Sequence, residues 1–140
     1  MSLKTALLFA LVSTVTCHND TSVNYMVEFF KTFTHAVANK DLTTLPALMD
    51  DHFYFMPCNG TKVGKMMGKE EFLDAVMDLP DNEAPTIEIR SSRYCRENPS
   101  IFCIGLRLVI TGFGGRFDMA SGYQHPTWGG GETGQCNPDY

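Results

Sequence analysis

Residues 39–72 place a strand rich in aromatic residues between two helical segments, and this order constrains the fold more than any other feature. The run His52-Phe53-Tyr54-Phe55-Met56 follows an acidic pair and ends at Pro57. Its aromatic side chains favour a strand, and the strand carries bulky residues on both faces. A strand of this kind should be buried against a layer of helices.

Helical periodicity appears on both sides of this strand. Apolar residues spaced by three and four before it predict a first amphipathic helix, with Asp41 capping a short second one. After it, Glu70 and Glu71 stand in the first turn of a third helix, where they favour the helix dipole, and Pro80 ends that helix. The stripe of the first helix consists of Val23, Met26, Val27, Phe30, Phe33 and Val37.

From Thr86 the hydrophobic period changes to two, which predicts antiparallel strands. The longest strand is expected over residues 101–113, with Ile104, Leu106 and Leu108 on one face. Most of the chain's 12 glycines follow Thr111. The glycine content predicts a weak strand over residues 115–123 and irregular coil from Gln124 onward. The sheet would then lack its last strands and leave the edge of the long strand open.

The beginning of the chain has the pattern of a signal peptide over residues 1–17. Lys4 precedes a short apolar run at residues 6–12, far below the roughly 20 residues that a membrane span needs. We therefore expect a secreted, extracellular protein with no membrane association after the leader is removed. The net charge of −5 and the absence of a basic stripe exclude a nucleic-acid partner.

Sequons and cysteines agree with export. Asn19 and Asn59 begin glycosylation sequons. The chain has five cysteines, and loss of Cys17 with the leader would leave an even number, as expected in an oxidising compartment. Several pairings are possible; we favour Cys95–Cys103, which flank a predicted hairpin tip, and then Cys58–Cys136. No CxxC occurs and the four histidines are scattered, so we expect neither a metal site nor a cofactor.

The order of these elements resembles the nuclear transport factor 2-like family, and in particular its short secreted members in nematodes. The matching segments are Lys40-Asp41-Leu42, Met49-Asp50-Asp51-His52-Phe53 and Gly68-Lys69-Glu70-Glu71-Phe72. The resemblance implies an α+β cone of the cystatin-like type: three N-terminal helices packed on a curved, mostly antiparallel sheet. It covers about residues 23–113. The domain is expected over residues 20–113, and residues 114–140 form a separate glycine-rich segment.

The same resemblance implies where catalytic groups would stand, and two of them are absent. The isomerase members place an aspartate before the proline that ends the first strand, but Met56 precedes Pro57 here. They also use a tyrosine in the first helix, and the residue at that spacing is Phe33. Dehydratase members use a histidine–aspartate pair or a tyrosine, for which His35, His52 and Asp51 are weak candidates. The resemblance therefore favours a non-catalytic protein.

Three functions follow from the sequence. The first is a secreted binding module whose cone holds a small apolar ligand or a protein partner, or is filled by its own side chains. The second is a dehydratase or cyclase with a histidine in the cone. The third is a homodimer that forms through the open sheet. The residues expected to line the cone are Phe33, Tyr54, Met56, Leu106 and Leu108.

Overall fold

Three helices cover one face of a mixed sheet in the computed structural model, which describes residues 20–59, 62–95, 103–113 and 115–136. Helix α1 is Asp20–Ala38, α2 is Thr44–Ala47 and α3 is Lys69–Met77. The predicted stripe of α1 is confirmed, since Met26, Phe30 and Phe33 are buried. The predicted leader and Asn19 lie outside the described residues.

Local contacts at the helix ends follow from the sequence. Asp41 accepts hydrogen bonds from the backbone N–H groups of Thr43 and Thr44 at the start of α2, and these bonds lower the pKa of its carboxyl group. At the start of α3, the side chain of Glu71 accepts a hydrogen bond from the N–H of Gly68 at 2.7 Å. Lys40 donates to the carbonyl oxygens of Met77 and Leu79, which ties the end of α1 to the end of α3.

Eight strands follow in chain order. They are β1 (Met49–Met56), β2 (Cys58–Asn59), β3 (Lys62–Val63), β4 (Met67–Gly68), β5 (Thr86–Tyr94), β6 (Cys103–Gly112), β7 (Gly115–Gln124) and β8 (Thr127–Cys136). The main sheet has the order β4-β1-β8-β7-β6-β5, and β2 pairs with β3 in a small hairpin. All pairs in the main sheet are antiparallel except β1 with β8, which is parallel. The acidic pair Asp50-Asp51, expected to precede this strand, lies inside β1.

The prediction of coil from Gln124 onward is wrong, and so is the prediction of missing last strands. Strand β8 is a full strand, and it occupies the middle of the sheet between β1 and β7. Strand β7 covers the edge of β6 that the sequence leaves open, so the edges of the sheet are β4 and β5. The glycine content is misleading here because it indicates only a weak intrinsic tendency to form a strand. Strand β8 forms because it pairs with a strand on each side, β1 and β7.

Glycines in β8 are required by close contact between backbones. Gly130 has φ +79°, and a Cβ atom built on it would overlap the carbonyl oxygen of Tyr54 in β1. A Cβ atom on Gly131 would overlap the carbonyl oxygen of Ala120 in β7. These two positions admit only glycine without a shift of the neighbouring strands.

The core lies between the helices and the sheet, and aromatic rings dominate it. Trp128 of β8 is 1% exposed, and its ring centroid lies 5.1 Å from that of Phe30, 5.0 Å from Phe33 and 5.5 Å from Phe53. Phe72 of α3 contacts Phe53 from the other side at 5.1 Å. Edge-to-face contacts of this kind are favourable beyond the area they bury.

Substitution of Gly130 tests the close contact between β8 and β1. We expect Gly130→Ala to lower the free energy of unfolding by about 3 kcal/mol or more, because the new Cβ atom meets a carbonyl oxygen and the positive φ is strained. Gly122→Ala is the matched control, since no described atom lies within 4 Å of its Cβ position. The control should change stability by less than about 1 kcal/mol. Urea unfolding measures both, and equal losses would contradict the assignment.

Candidate functional site

The structure divides the five residues predicted to line the cone. Phe33 and Leu108 are both 0% exposed, and with Leu106 they belong to the core beneath the helices. Tyr54 and Met56 alternate with the buried Phe53 and Phe55, so they lie on the opposite face of the sheet. That face, which points away from the helices, is called the outer face below. The interior of the cone is therefore filled, which is one of the alternatives that the sequence leaves open. The placement of Tyr54 and Met56 is corrected from the lining of the cone to the outer face.

The space between the helices and the sheet is filled by the protein's own side chains. Rings from α1, α3, β1, β7 and β8 contact one another there: Phe30, Phe33, Phe53, Phe55, Phe72, Phe117 and Trp128. Among the described residues, the buried polar ones are Ser22, Ser92 and Thr133. Ser22 Oγ and Ser92 Oγ are hydrogen-bonded at 2.7 Å and join α1 to β5. The described interior thus contains hydroxyl groups but no carboxylate or imidazole.

The catalytic candidates taken from the sequence lie at the surface. His35 is exposed near the end of α1, with Nε2 3.0 Å from Asn39 Nδ2. The side chain of His52 is 96% exposed and its Nδ1 lies 3.7 Å from Asp50 Oδ2. The side chain of Asp51 is 94% exposed, 3.5 Å from Lys69 Nζ. None of these three side chains reaches the interior of the cone.

The outer face carries a cleft of about 420 Å³ around Tyr54. Its remaining lining comes from β8, which is beside β1, and from β7, the next strand, and it is mostly glycine: Ala120, Ser121, Gly122, Gly129, Gly130 and Gly131. Ser121 faces the core, where its Oγ accepts from Trp128 Nε1 and donates to the carbonyl oxygen of Gly130. The floor of the cleft is therefore mainly peptide backbone, with the Tyr54 ring on one side.

The register explains why the cleft lies there. The pairing between β7 and β8 shifts between Ser121 and Tyr123, so β8 bulges opposite Gly122. A bulge increases local twist and separates neighbouring side chains. With glycines at the bulge and Ala120 beside it, no large side chain fills the space next to Tyr54.

A second polar cluster joins α1 to the turn between β7 and β8. Tyr25 Oη lies 2.9 Å from Tyr123 Oη and 2.9 Å from His125 Nδ1, and Tyr123 Oη lies 3.1 Å from the same nitrogen. Tyr123 is 3% exposed whereas His125 is exposed. Burial, followed by the hydrogen bond with Tyr25, raises the pKa of Tyr123, so this phenol stays protonated at neutral pH.

Sequence reasoning missed both the glycine cleft and this cluster. The sequence predicts coil for the cleft glycines of residues 129–131 and only a weak strand for Gly122, and Tyr25 stands 98 residues from Tyr123 and 100 from His125. The one available signal was the run Tyr123-Gln124-His125-Pro126, which places a tyrosine and a histidine next to a proline at a turn. Arg107 lies on the outer face with its guanidinium 3.5 Å from Asp118.

The disulfide prediction is confirmed for Cys95–Cys103, whose Cα atoms lie 5.5 Å apart across β5 and β6. Cys136 is also disulfide-bonded. The side chains of Cys58 and Asn59 lie outside the described part of the chain, so the Cys58–Cys136 pairing and glycosylation of Asn59 stay predictions.

Over the described ranges, no three His, Cys, Asp or Glu side chains are grouped as a metal ion would require. Nor does any helix there have both the length and the apolar character to cross a bilayer.

Comparison with known proteins gives one finding. A family model described as an NTF2-like domain matches residues 24–127. That range begins in α1 and ends at the first residue of β8. No curated protein and no solved structure matches the chain.

The raised pKa of Tyr123 makes a pH dependence of stability testable. Because the folded protein holds this proton more tightly than the unfolded chain, the contribution is constant below the ordinary pKa of about 10 and is lost as pH rises above it. We expect the wild type to lose stability more steeply above that pH than Tyr123→Phe does. Phenolate absorbance should show a late-titrating tyrosine in the wild type alone. The burial of the Tyr123 phenol would be contradicted if the wild type and Tyr123→Phe differ only by one tyrosine that titrates with an ordinary pKa.

Proposed function

Because the chain belongs to the NTF2-like domain family, in which the fold does not decide the activity, we propose that it is a secreted, non-catalytic binding module. Its ligand would bind in the outer-face cleft beside Tyr54, and not between the helices and the sheet. The observation that carries this proposal is the glycine-lined cleft, set against an interior filled with aromatic rings.

The geometry of the cleft suits a small ligand with an apolar face. Its volume of about 420 Å³ falls within the range that small-molecule sites occupy. The Tyr54 ring supplies an amphipathic wall that can stack on a flat apolar surface. The peptide groups of Gly129, Gly130 and Gly131 form a floor that a ligand can approach closely, because no side chain projects from it.

Secretion is the second part of the proposal. The leader pattern of residues 1–17 and two sequons support it. Two further observations agree with an oxidising compartment: the Cys95–Cys103 disulfide and the disulfide of Cys136. In that setting the ligand would be an extracellular molecule.

An enzymatic function is the second candidate, and the Tyr25–Tyr123–His125 cluster favours it. His125 Nδ1 can accept the Tyr25 proton, which lets the Tyr25 oxygen remove a proton next to a substrate carbonyl group. Tyr123, held protonated by burial, can donate a hydrogen bond to the enolate oxygen that develops. This arrangement differs from the sequence hypothesis, which placed the base at His35 or His52.

Pairing through the sheet, the third function considered, would have to use the edge strand β5 or the two-residue β4. Strand β5 has an irregular register between Ile89 and Ser91 and carries the exposed Glu88 and Arg90, which form an ion pair at 3.8 Å. Bulges and charges are devices that keep edge strands from pairing. The described edges therefore favour a binding module over a sheet-mediated homodimer.

Binding in the cleft can be tested with the fluorescent probe anilinonaphthalene sulfonate. We expect saturable binding to the folded wild type, and a loss of about tenfold or more in affinity for Tyr54→Ala and for Gly122→Val. The valine fills the cleft without a clash, since no described atom lies within 4 Å of its Cβ position. Gly105→Val is the matched control on the neighbouring strand and should leave probe affinity unchanged. Equal affinity in all four proteins would remove the proposal.

The enzymatic candidate can be tested by deuterium exchange next to the carbonyl of cyclohexanone, followed by NMR in D₂O. If the cluster is catalytic, the wild type accelerates exchange, and His125→Gln loses about 100-fold of that acceleration because the group that accepts the Tyr25 proton is gone. His35→Gln is the matched control at an exposed histidine and should keep the full rate. A wild-type rate equal to that of buffer would count against this candidate.

A further inference from the structure

Three donor atoms from distant parts of the chain meet where α1 contacts the turn between β7 and β8. Tyr25 Oη lies 2.9 Å from Tyr123 Oη and 2.9 Å from His125 Nδ1. The third side, from Tyr123 Oη to His125 Nδ1, is 3.1 Å long. These three atoms are called the phenol–imidazole triangle below. None of the three residues lines the outer-face cleft, so the triangle is a separate place in the fold.

The triangle has more short sides than hydrogens that can fill them. When His125 Nδ1 is an acceptor, the two phenol hydrogens can occupy two sides at most. When Nδ1 carries a hydrogen, it can accept from neither phenol, and again no more than two sides are bonded. One side is therefore left without a hydrogen in either state. A cation placed over the triangle would be shared by all three atoms.

The spacing of the triangle matches that of neighbouring ligands around an octahedral metal ion. Ligand atoms about 2.0–2.1 Å from such an ion lie roughly 2.9 Å apart along an edge of the octahedron. Around a tetrahedral zinc ion with the same bond length, they lie roughly 3.3–3.4 Å apart. The observed sides of 2.9, 2.9 and 3.1 Å therefore fit an octahedral ion better than they fit zinc.

Ring packing holds the donor atoms in place and leaves one side of the triangle open. The Tyr123 ring lies 4.9 Å from the Phe29 ring and 5.6 Å from the Tyr25 ring, measured between centroids. Tyr123 is buried, Tyr25 is half-buried and His125 is exposed. An ion would enter from the side of His125, and water or an anion would fill its remaining coordination positions. Donors fixed in this way are preorganised for a metal.

The donor set indicates which ion would bind. Tyrosine and histidine are both established ligands of iron. Burial raises the pKa of Tyr123, so its phenolate forms only beside a cation of high charge. A trivalent ion compensates two phenolates and retains one positive charge, whereas a divalent ion retains none. Ferric iron is trivalent, takes octahedral coordination and prefers hard oxygen ligands.

We propose that the phenol–imidazole triangle binds a ferric ion through the oxygens of Tyr25 and Tyr123 and through His125 Nδ1. Binding breaks the O–H bond of each phenol, forms two Fe–O bonds and releases two protons to solvent. The iron stays ferric, so the step needs no oxidant or reductant. His125 takes part as the neutral imidazole with its hydrogen on Nε2.

This site goes beyond the proposed binding function. The expectation that the chain has no metal site considered the spacing of cysteine and histidine, a pattern that does not include tyrosine ligands. A bound ion would occupy the Tyr25 oxygen and the His125 nitrogen. The iron-loaded cluster could therefore not carry out the proton transfer of the enzymatic candidate.

Titration of the purified full chain with ferric nitrilotriacetate tests the site. Phenolate bound to ferric iron gives a visible charge-transfer band, and excitation in that band enhances phenolate vibrations in the Raman spectrum. We expect the band to saturate at one ion per chain in the wild type. Tyr25→Phe and His125→Gln should each weaken binding by about 100-fold or more, because loss of even an outer partner of a metal ligand costs roughly 10–100-fold.

Tyr94→Phe and His35→Gln are the matched controls, since they remove a phenol and an imidazole that do not belong to the triangle. Both should keep the band and the affinity of the wild type. A wild type without the band would overturn the site. A band that Tyr25→Phe and His125→Gln retain at full strength would overturn it as well, because the iron would then be an adventitious ion only.

Folding of each variant is established by circular dichroism and urea unfolding. Tyr25 lies on α1 and His125 in the turn between β7 and β8, so the two variants disturb different elements. If one of them fails to fold, the other still decides the outcome.

Discussion

Burial of the Trp128 indole against α1 is the interaction on which the central position of β8 in the sheet depends. The ring is enclosed by Phe30, Phe33 and Phe53, and its N–H group donates to Ser121 Oγ. Burial of a large aromatic side chain contributes on the order of 3 kcal/mol. The backbone N–H of Trp128 also donates to the carbonyl oxygen of Leu48 at 2.9 Å, just before β1 begins. These contacts hold β8 beside β1, where the glycines that follow Trp128 can pack closely against the β1 backbone.

The division between the two faces of the sheet follows from this packing. The inner face uses its area for ring contacts, which leave no room for a charged group that would have to be desolvated there. The outer face contributes less to the core and tolerates glycines, polar side chains and ion pairs such as Arg107–Asp118. The core packing and the outer-face cleft thus lie on opposite sides of one layer. This arrangement explains why Tyr54, a neighbour of two core phenylalanines, lines the cleft and not the core.

Much of this architecture could be predicted from local patterns. The spacing of Phe30 and Phe33 gave the inner face of α1, and the alternation of Phe53, Tyr54 and Phe55 gave the two faces of β1. Strand β8 could not be predicted, because its glycines are favourable only where two other backbones approach, and that contact is invisible in the local sequence. Tyr54 could not be placed outside the cone, because the alternation along β1 shows which residues share a face but not which face the helices cover. Tyr25 and His125 meet only through the tertiary fold.

The parallel pairing of β1 with β8 has a consequence for biosynthesis. Strand β1 leaves the ribosome early, yet the strand that covers one of its edges is the last of the sheet to be made. Until then, the aromatic face of β1 has only the helices and the short β4 as cover. Distant pairing of this kind slows folding and prolongs exposure of apolar surface. The nascent chain would therefore depend on chaperones for longer than one whose neighbouring strands are consecutive.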